Sequence, residues 1–487
     1  VAQFFAVEVF GTVRYVDVSN PTPVVPYLTW ATAATNIQDA VDRSSPGDIV
    51  SVTNGIYQTG GNPFAPTNRV WISSSITVQS VNGPEVTIIR GYQVPGTTNG
   101  TSAIRCALLS GGAKLSGFTL TLGASITSGP DFGGGVYCAS ANATVSNCII
   151  IGNVGFQNGG GAYGGTLINS VLSGNLAQNG AGAYQATLIN CVLTDNHAVL
   201  GPISSRTGGG AAFCTLNSCL ILSNSATLGG GTYSSYLTNC TVVGNLAGTA
   251  GGIYLGAQPS IGVSVVNTIA FYNSASNHPN AFINFDASGF SYCCAAEALP
   301  GFRNLTNEPN FMDITAGDFR LQPNSPCINS GRNAYIPNIT DLDGNPRIAG
   351  GTVDIGAYEY QSPSSLLSYA WLQQYGLPTD GSIDYTDPDN DQMNNWQEWI
   401  AGTDPTDALS VLRLLLPKPV PTGVTVSWPA VTNRLYFIQR ATNLAFQPAF
   451  LTLQTNLFTQ AGTNTAFYTD ASAKGAGPYL YRVGVQQ

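Results

Sequence analysis

Six residues of the loop 387–398, DPDNDQMNNWQE, have the types and spacing to hold a hard cation. Asp387, Asp389 and Asp391 take positions 1, 3 and 5 of a twelve-residue loop. Met393 offers its backbone carbonyl at position 7, Asn395 an amide oxygen at 9, and Glu398 a two-oxygen carboxylate at 12. Calcium takes about six to eight hard oxygens, and this spacing wraps such a set around one centre. Four carboxylates so close repel one another until a cation neutralises them. The implied ion is therefore Ca2+ in a structural role, bound with the weak affinity of extracellular modules. Position 6 is Gln392, where a sharp turn favours glycine, so strain of ~1–2 kcal/mol is expected there. A solvated acidic linker is the plainer alternative.

Elsewhere, ionisable groups are sparse. Charged residues make up 9% of the chain, against the usual ~25%. The stretch 133–280 has only Asp195 and Arg206, with His197 and His278 as its histidines. Glycoside hydrolysis needs carboxylates grouped in space, and this stretch does not supply them. Asp195 and His197 stand two apart and can face the same side of a strand, a pairing more often accidental than functional. The net charge of −9 lies mostly in the flanks, and no basic cluster suggests nucleic acid. No apolar run reaches the ~18–20 residues of a membrane span. The chain begins at Val1 rather than Met, as a processed or a truncated chain would. Cys148, Cys191, Cys219 and Cys240 fall in one repeat column and read as buried small apolar residues. Bridges between neighbours in that column are possible, and Cys293, Cys294 and Cys327 are better disulfide candidates; sequence does not set the pairing.

The elements that carry these residues begin with a repeat over 133–280, roughly GGGxY…LxNCxLxxNxA. Asn147, Asn169, Asn190, Ser218, Asn239 and Asn267 form one series. Asn153, Asn175, Asn196, Asn224, Asn245 and Asn273 form a second, and both step by 22, 21, 28, 21 and 28 residues. The longer steps read as loop insertions. Short alternating runs favour strands. About 21 residues fit one coil of three strands and three turns, stacked at ~4.8 Å into a parallel β-helix of roughly ten to twelve coils. Identical residues then stack, so the second Asn series is expected to form a buried column. The aromatics Tyr137, Tyr163, Tyr184, Phe213, Tyr233 and Tyr254 form another column, packed along the wall or stacking on sugar rings.

Taken in order, residues 1–29 read as an N-terminal strand (1–18) and a linker with Pro21, Pro23 and Pro26. The strand is apolar on both faces and needs cover, either on its own β-helix or on a neighbouring molecule. Residues 30–361 form the β-helix. Ile37, Ala40 and Val41 share one face of a short helix that caps its open end, and Pro46-Gly47 turns the chain into a strand at 49–52. The stretch IQDAVDRSSPGDIVSVTNGIY resembles the start of pectin-lyase-fold right-handed β-helix proteins. GDFRLQPNSPCINSG with TDLDGNPRIAGGTVDIGAYEY resembles the closing segment of the choice-of-anchor Q group of secreted bacterial β-helix proteins. That motif comprises Asp341, Asp343, Gly344, Asn345, Arg347, Asp354, Gly356 and Glu359. The resemblance covers roughly 30–360 and implies fold and secretion rather than an activity. Residues 362–408 are the EF-hand-like connector that contains the acidic loop. Residues 409–487, with VTVSW…YFIQRATNL…YLYRV, resemble a fibronectin type III sandwich.

The expected protein is all-β: a right-handed parallel β-helix, a short helical calcium-binding connector and a small β-sandwich. The expected role is non-enzymatic, that of a secreted extracellular structural or adhesive rod. Its expected partners are further copies of itself in a homo-oligomer or filament built by N-terminal strand addition, and extracellular polysaccharide. The competing class is a carbohydrate-active protein, a lyase-like enzyme or a glycan-binding module.

Overall fold

The computed structural model describes residues 11–62, 67–127, 132–256, 265–283, 289–432, 434–459 and 464–486. The fold has two compact units. The first holds the chain to Cys327 with Gly331–Ala349 and Val353–Gln361; the second holds Ile328–Ser330, Gly350–Thr352 and Ser362–Gln487.

Strands of the first unit are short because each coil must turn three times. Their inward positions are apolar: Val145, Leu167, Leu188, Leu216 and Leu237 are paired in register from coil to coil and fully buried. Parallel pairing of this kind builds a 12-stranded sheet from Val13–Val16 to Gly301–Phe302. A 10-stranded sheet runs from Gly55–Tyr57 to Cys294–Ala295, and a 9-stranded one from Asn68–Ile72 to Ala281–Ile283. Five coils add a further short sheet from Leu176–Ala177 to Ser274–Asn277. The architecture is the expected parallel β-helix.

The two Asn series do different work. Asn147, Asn169, Asn190, Asn239 and Asn267 turn the chain between the 12- and 10-stranded sheets with φ of 51°, 49°, 52°, 51° and 49°. Asparagine enters this left-handed region more readily than most residues. The second series is the internal column. Nδ2 of Asn153, Asn175, Asn196, Asn224 and Asn245 donates to Oδ1 of the next member at 3.1, 2.9, 2.9, 3.0 and 2.9 Å. The backbone N–H of each donates to that same oxygen. The column continues past the repeat. Asn273 donates to Asn280 Oδ1 at 3.2 Å, and Asn280 to Glu297 Oε2 at 2.7 Å.

The N-terminal end is capped within the chain. Val13–Val16 pairs with Ile49–Val52. Its other edge is closed by Tyr15 N–H donating to the Tyr27 carbonyl and Ala34 N–H donating to the Tyr15 carbonyl, both at 2.9 Å. This part of the expected 1–18 strand is therefore not available to a neighbouring molecule; residues 1–10 lie outside the described residues. The short helix Ile37–Val41 buries Ile37, Ala40 and Val41 in the core, as the cap reading requires.

The closing segment lies against the wall. Arg332 N–H donates to Asn267 Oδ1 at 2.9 Å, and Ala357 N–H to Thr241 Oγ1 at 2.9 Å. Its acidic residues are structural. Asp341, Asp354 and Glu359 are buried and accept backbone N–H groups of the segment itself. Arg347, also buried among them, donates to the carbonyls of Ala357, Asp354 and Gly356.

The second unit contains two three-stranded antiparallel sheets. Lys418–Val420, Gly423–Pro429 and Thr465–Asp470 form one. Leu451–Leu457, Tyr436–Ala441 and Leu480–Val485 form the other, and Val426, Trp428, Tyr436 and Ile438 fill the core between them.

The ladder predicts the effect of one substitution. Asn196→Ala removes an acceptor shared by two donors of Asn175, at about 1–3 kcal/mol. Asn196→Asp is expected to be worse, because a carboxylate oxygen would then face Asn224 Oδ1 and the Leu172 carbonyl where Nδ2 now donates at 2.9 Å to each. Urea denaturation of the three proteins checks the order.

Candidate metal centre

The acidic loop is held shut by its flanks. Asn395 and Trp396 donate backbone N–H groups to the carbonyls of Thr386 and Asp384, both at 2.9 Å. Asp384 is buried and accepts from Ser365 Oγ at 2.7 Å and Leu366 N–H at 2.8 Å. The helix Asn395–Ala401 starts where Asn394 and Gln397 cap each other and stops at Gly402, whose φ of 79° is left-handed. This helix brings Asn395 and Glu398 to the loop.

Within the loop, carboxylate oxygens of Asp387, Asp389 and Asp391 lie within 4.8 Å of one another, a grouping able to hold one metal ion. Asp387 accepts N–H groups of Asp391 and Gln392 at 3.2 and 2.9 Å, and Asp391 accepts that of Met393 at 2.7 Å. Gln392 does take the left-handed turn, with φ 78°. The expected strain therefore falls at the position where the sequence departs from glycine.

The decisive feature is a set of orphaned acceptors. Asp389 Oδ2, Asp391 Oδ2, Asn395 Oδ1 and Glu398 Oε2 are all buried without a hydrogen-bond partner. All four are oxygens that accept, the carboxyl ones when ionised, and buried acceptors are normally satisfied. Four unsatisfied ones contributed by one loop and one helix match the needs of a cation. The charges say the same. Burial, then Asp389 and Asp391, push the Glu398 carboxyl up to about 8, and burial and Asp391 also raise Asp389. Of the six expected ligands, the three aspartates are grouped directly, and Asn395 and Glu398 present unpaired oxygens. Met393 donates its N–H to Asp391 Oδ1.

The remaining candidates separate clearly. All ten cysteines are buried free thiols, so none of the expected bridges is formed. The aromatic column stacks on itself. Tyr163–Tyr184 and Tyr233–Tyr254 lie at 5.6 and 5.0 Å between ring centroids, inclined by 17° and 13°. Tyr137–Tyr163, Tyr184–Phe213 and Phe213–Tyr233 meet edge to face, at 76°, 65° and 73°, so the rings pack against one another along the wall. Asp195 and His197 do meet, at 3.0 Å.

No protein-family model matches the chain, and no curated protein matches it either. Among solved structures, it is similar to the pectate lyase Pel9A at 14% identity and TM-score 0.45, covering 71% of this chain and 96% of that one. It is similar to the pectin methylesterase PemA from Erwinia chrysanthemi at 10% identity and TM-score 0.34, covering 60% and 92%. It is also similar to PfbA, a surface adhesin of Streptococcus pneumoniae, at 9% identity and TM-score 0.25, covering 55% and 76%. At these values the likeness bears on neither activity nor substrate.

Glu398 sets a pH dependence for the metal-free protein. Its folded-state carboxyl holds a proton up to about 8, whereas in the unfolded chain it loses the proton near ~4.3. The stability it contributes is full below the unfolded value and is lost as pH rises through about 8. With a chelator present, unfolding of the wild type is expected to grow easier from pH 5 to 8 relative to Glu398→Gln, which lacks the titration. Parallel pH profiles for the two proteins would refute this.

Proposed function

We propose that the chain is a secreted extracellular structural or adhesive protein, whose β-helix is a rigid rod without a lyase or glycosidase centre. The observation that carries this reading is the wall over 133–280. A continuous amide ladder braces it from within, and its only charged side chains are Asp195 and Arg206. Acidic-glycan cleavage needs grouped carboxylates and a base. The sole grouping of three or more metal-ligating side chains among the described residues is Asp387, Asp389 and Asp391, in the other unit.

In this reading the loop 387–398 binds one calcium ion through Asp387, Asp389, Asp391, Asn395, Glu398 and the Met393 carbonyl. The ion orders the connector, and the C-terminal sandwich is a fibronectin type III-like module. The partner is a second copy of the chain, since a nearly uncharged wall offers little repulsion to close packing. With Val13–Val16 committed to its own β-helix, any strand exchange is left to residues 1–10. Extracellular polysaccharide is the other partner of this reading.

Electron microscopy of the purified protein is expected to show rods, and digests of pectin or alginate to yield no ultraviolet-absorbing unsaturated products, with or without calcium. Such products from clean protein would overturn the reading. Light scattering is expected to show assembly that weakens on deletion of residues 1–10; a strict monomer at high concentration would remove the self-association. Calorimetry is expected to find one calcium site per chain, lost when Asp389→Ala and Glu398→Ala are combined. Equal protease sensitivity of 362–408 in calcium and in chelator would remove the ordering role.

A further inference from the structure

The wall carries a hydrogen-bonded chain of three groups that the structural reading leaves unused. Asp195 Oδ1 lies 3.0 Å from His197 Nε2. The other ring nitrogen, Nδ1, lies 2.8 Å from Ser225 Oγ. His197 and Ser225 are cross-strand partners on neighbouring coils, 28 residues apart in the chain.

Two observations draw attention to this surface group, whose Asp195 side chain is 65% exposed. The first is scarcity: the stretch 133–280 has one carboxylate and two histidines, yet that carboxylate lies on one of those rings. The second is access. The His197 side chain is 34% exposed, and Ser225 is half-buried on the outside of the wall. Its partner on the following coil is Leu246, 55% exposed, an apolar shelf beside the hydroxyl.

We propose that Ser225, His197 and Asp195 form a nucleophile, base and orienting carboxylate that hydrolyse short O-acyl esters carried on a polymer. The partners assign the ring tautomer: Nε2–H donates to Asp195, which leaves Nδ1 to accept the Ser225 hydroxyl proton. Ser225 Oγ attacks the acyl carbonyl carbon as its proton passes to Nδ1. The ester C–O bond breaks, and the alcohol leaves with that proton. Water then gives a proton to Nδ1, and its oxygen attacks the acyl-serine. The carboxylic acid departs, and Ser225 recovers its proton. One ester and one water become one alcohol and one acid, with no redox partner. An open wall admits an ester borne on a long chain, and Leu246 gives apolar cover for a short acyl group. This activity lies outside the chemistry of lyases and glycosidases and does not depend on the rod reading.

The test treats the full chain with a fluorophosphonate probe and maps the adduct by peptide mass spectrometry; hydrolysis of 4-nitrophenyl acetate is followed in parallel. The expected adduct is on Ser225. It is absent in Ser225→Ala and forms at least about 10-fold more slowly in His197→Ala and Asp195→Asn. Acetate release is expected to fall at least about 10²-fold in Ser225→Ala, with melting temperatures unchanged. Labelling of Ser225 no greater than that of Ser274, an exposed serine in the same column, would overturn the proposal. So would an unchanged hydrolysis rate in Ser225→Ala. Should that variant fail to fold, the labelled position in the wild type decides alone.

Discussion

The stacking of one residue on its own counterpart, coil after coil, is the constraint on which the β-helix depends. A parallel coil cannot satisfy its turns locally, because each turn leaves backbone donors inside the wall. The ladder answers this with one side chain: each asparagine accepts from the backbone and amide of the coil before it and donates to the coil after. Substituting one member therefore strands groups on its neighbours, and the penalty exceeds that of a lost surface contact. The ladder ends on Glu297, whose carboxylate takes two N–H groups and the Asn280 amide. A carboxylate suits that end because it accepts only and asks no further coil for an acceptor.

The acidic loop inverts this logic. Its oxygens are too many for the donors around them, and burial of Glu398 against the aspartates is unfavourable without positive charge. The ladder closes on itself; the loop remains open to a cation.

Much of this was legible in the sequence, for definite reasons. The 21-residue step, the alternation of apolar residues and the repeated asparagines each name a geometry, because stacking turns sequence period into spatial column. The acidic spacing from Asp387 to Asp391 was legible because those residues are local. Less legible was the end of the ladder, where Asn273 passes to Asn280 after seven residues rather than a full coil. The bridges that the sequence left possible are not formed: all ten thiols are free and buried, and inward thiols donate to backbone carbonyls. Cys191 and Cys240, for example, reach the Ile189 and Thr238 carbonyls, each at 3.3 Å.

By itself the sequence determined the coil, its period, the residues that line its interior and the grouping of Asp387, Asp389 and Asp391, since all of these follow from spacing along the chain. Tertiary structure alone decided which distant groups became partners. Ser225 reaches His197 because parallel strand pairing brings residues 28 apart side by side. The strand Val13–Val16 finds Tyr27 and Ala34 rather than another molecule. Glu398 becomes hard to ionise only once a helix buries it against three aspartates. Partnership and burial depend on distance through space, and a linear pattern records that distance only where the chain repeats.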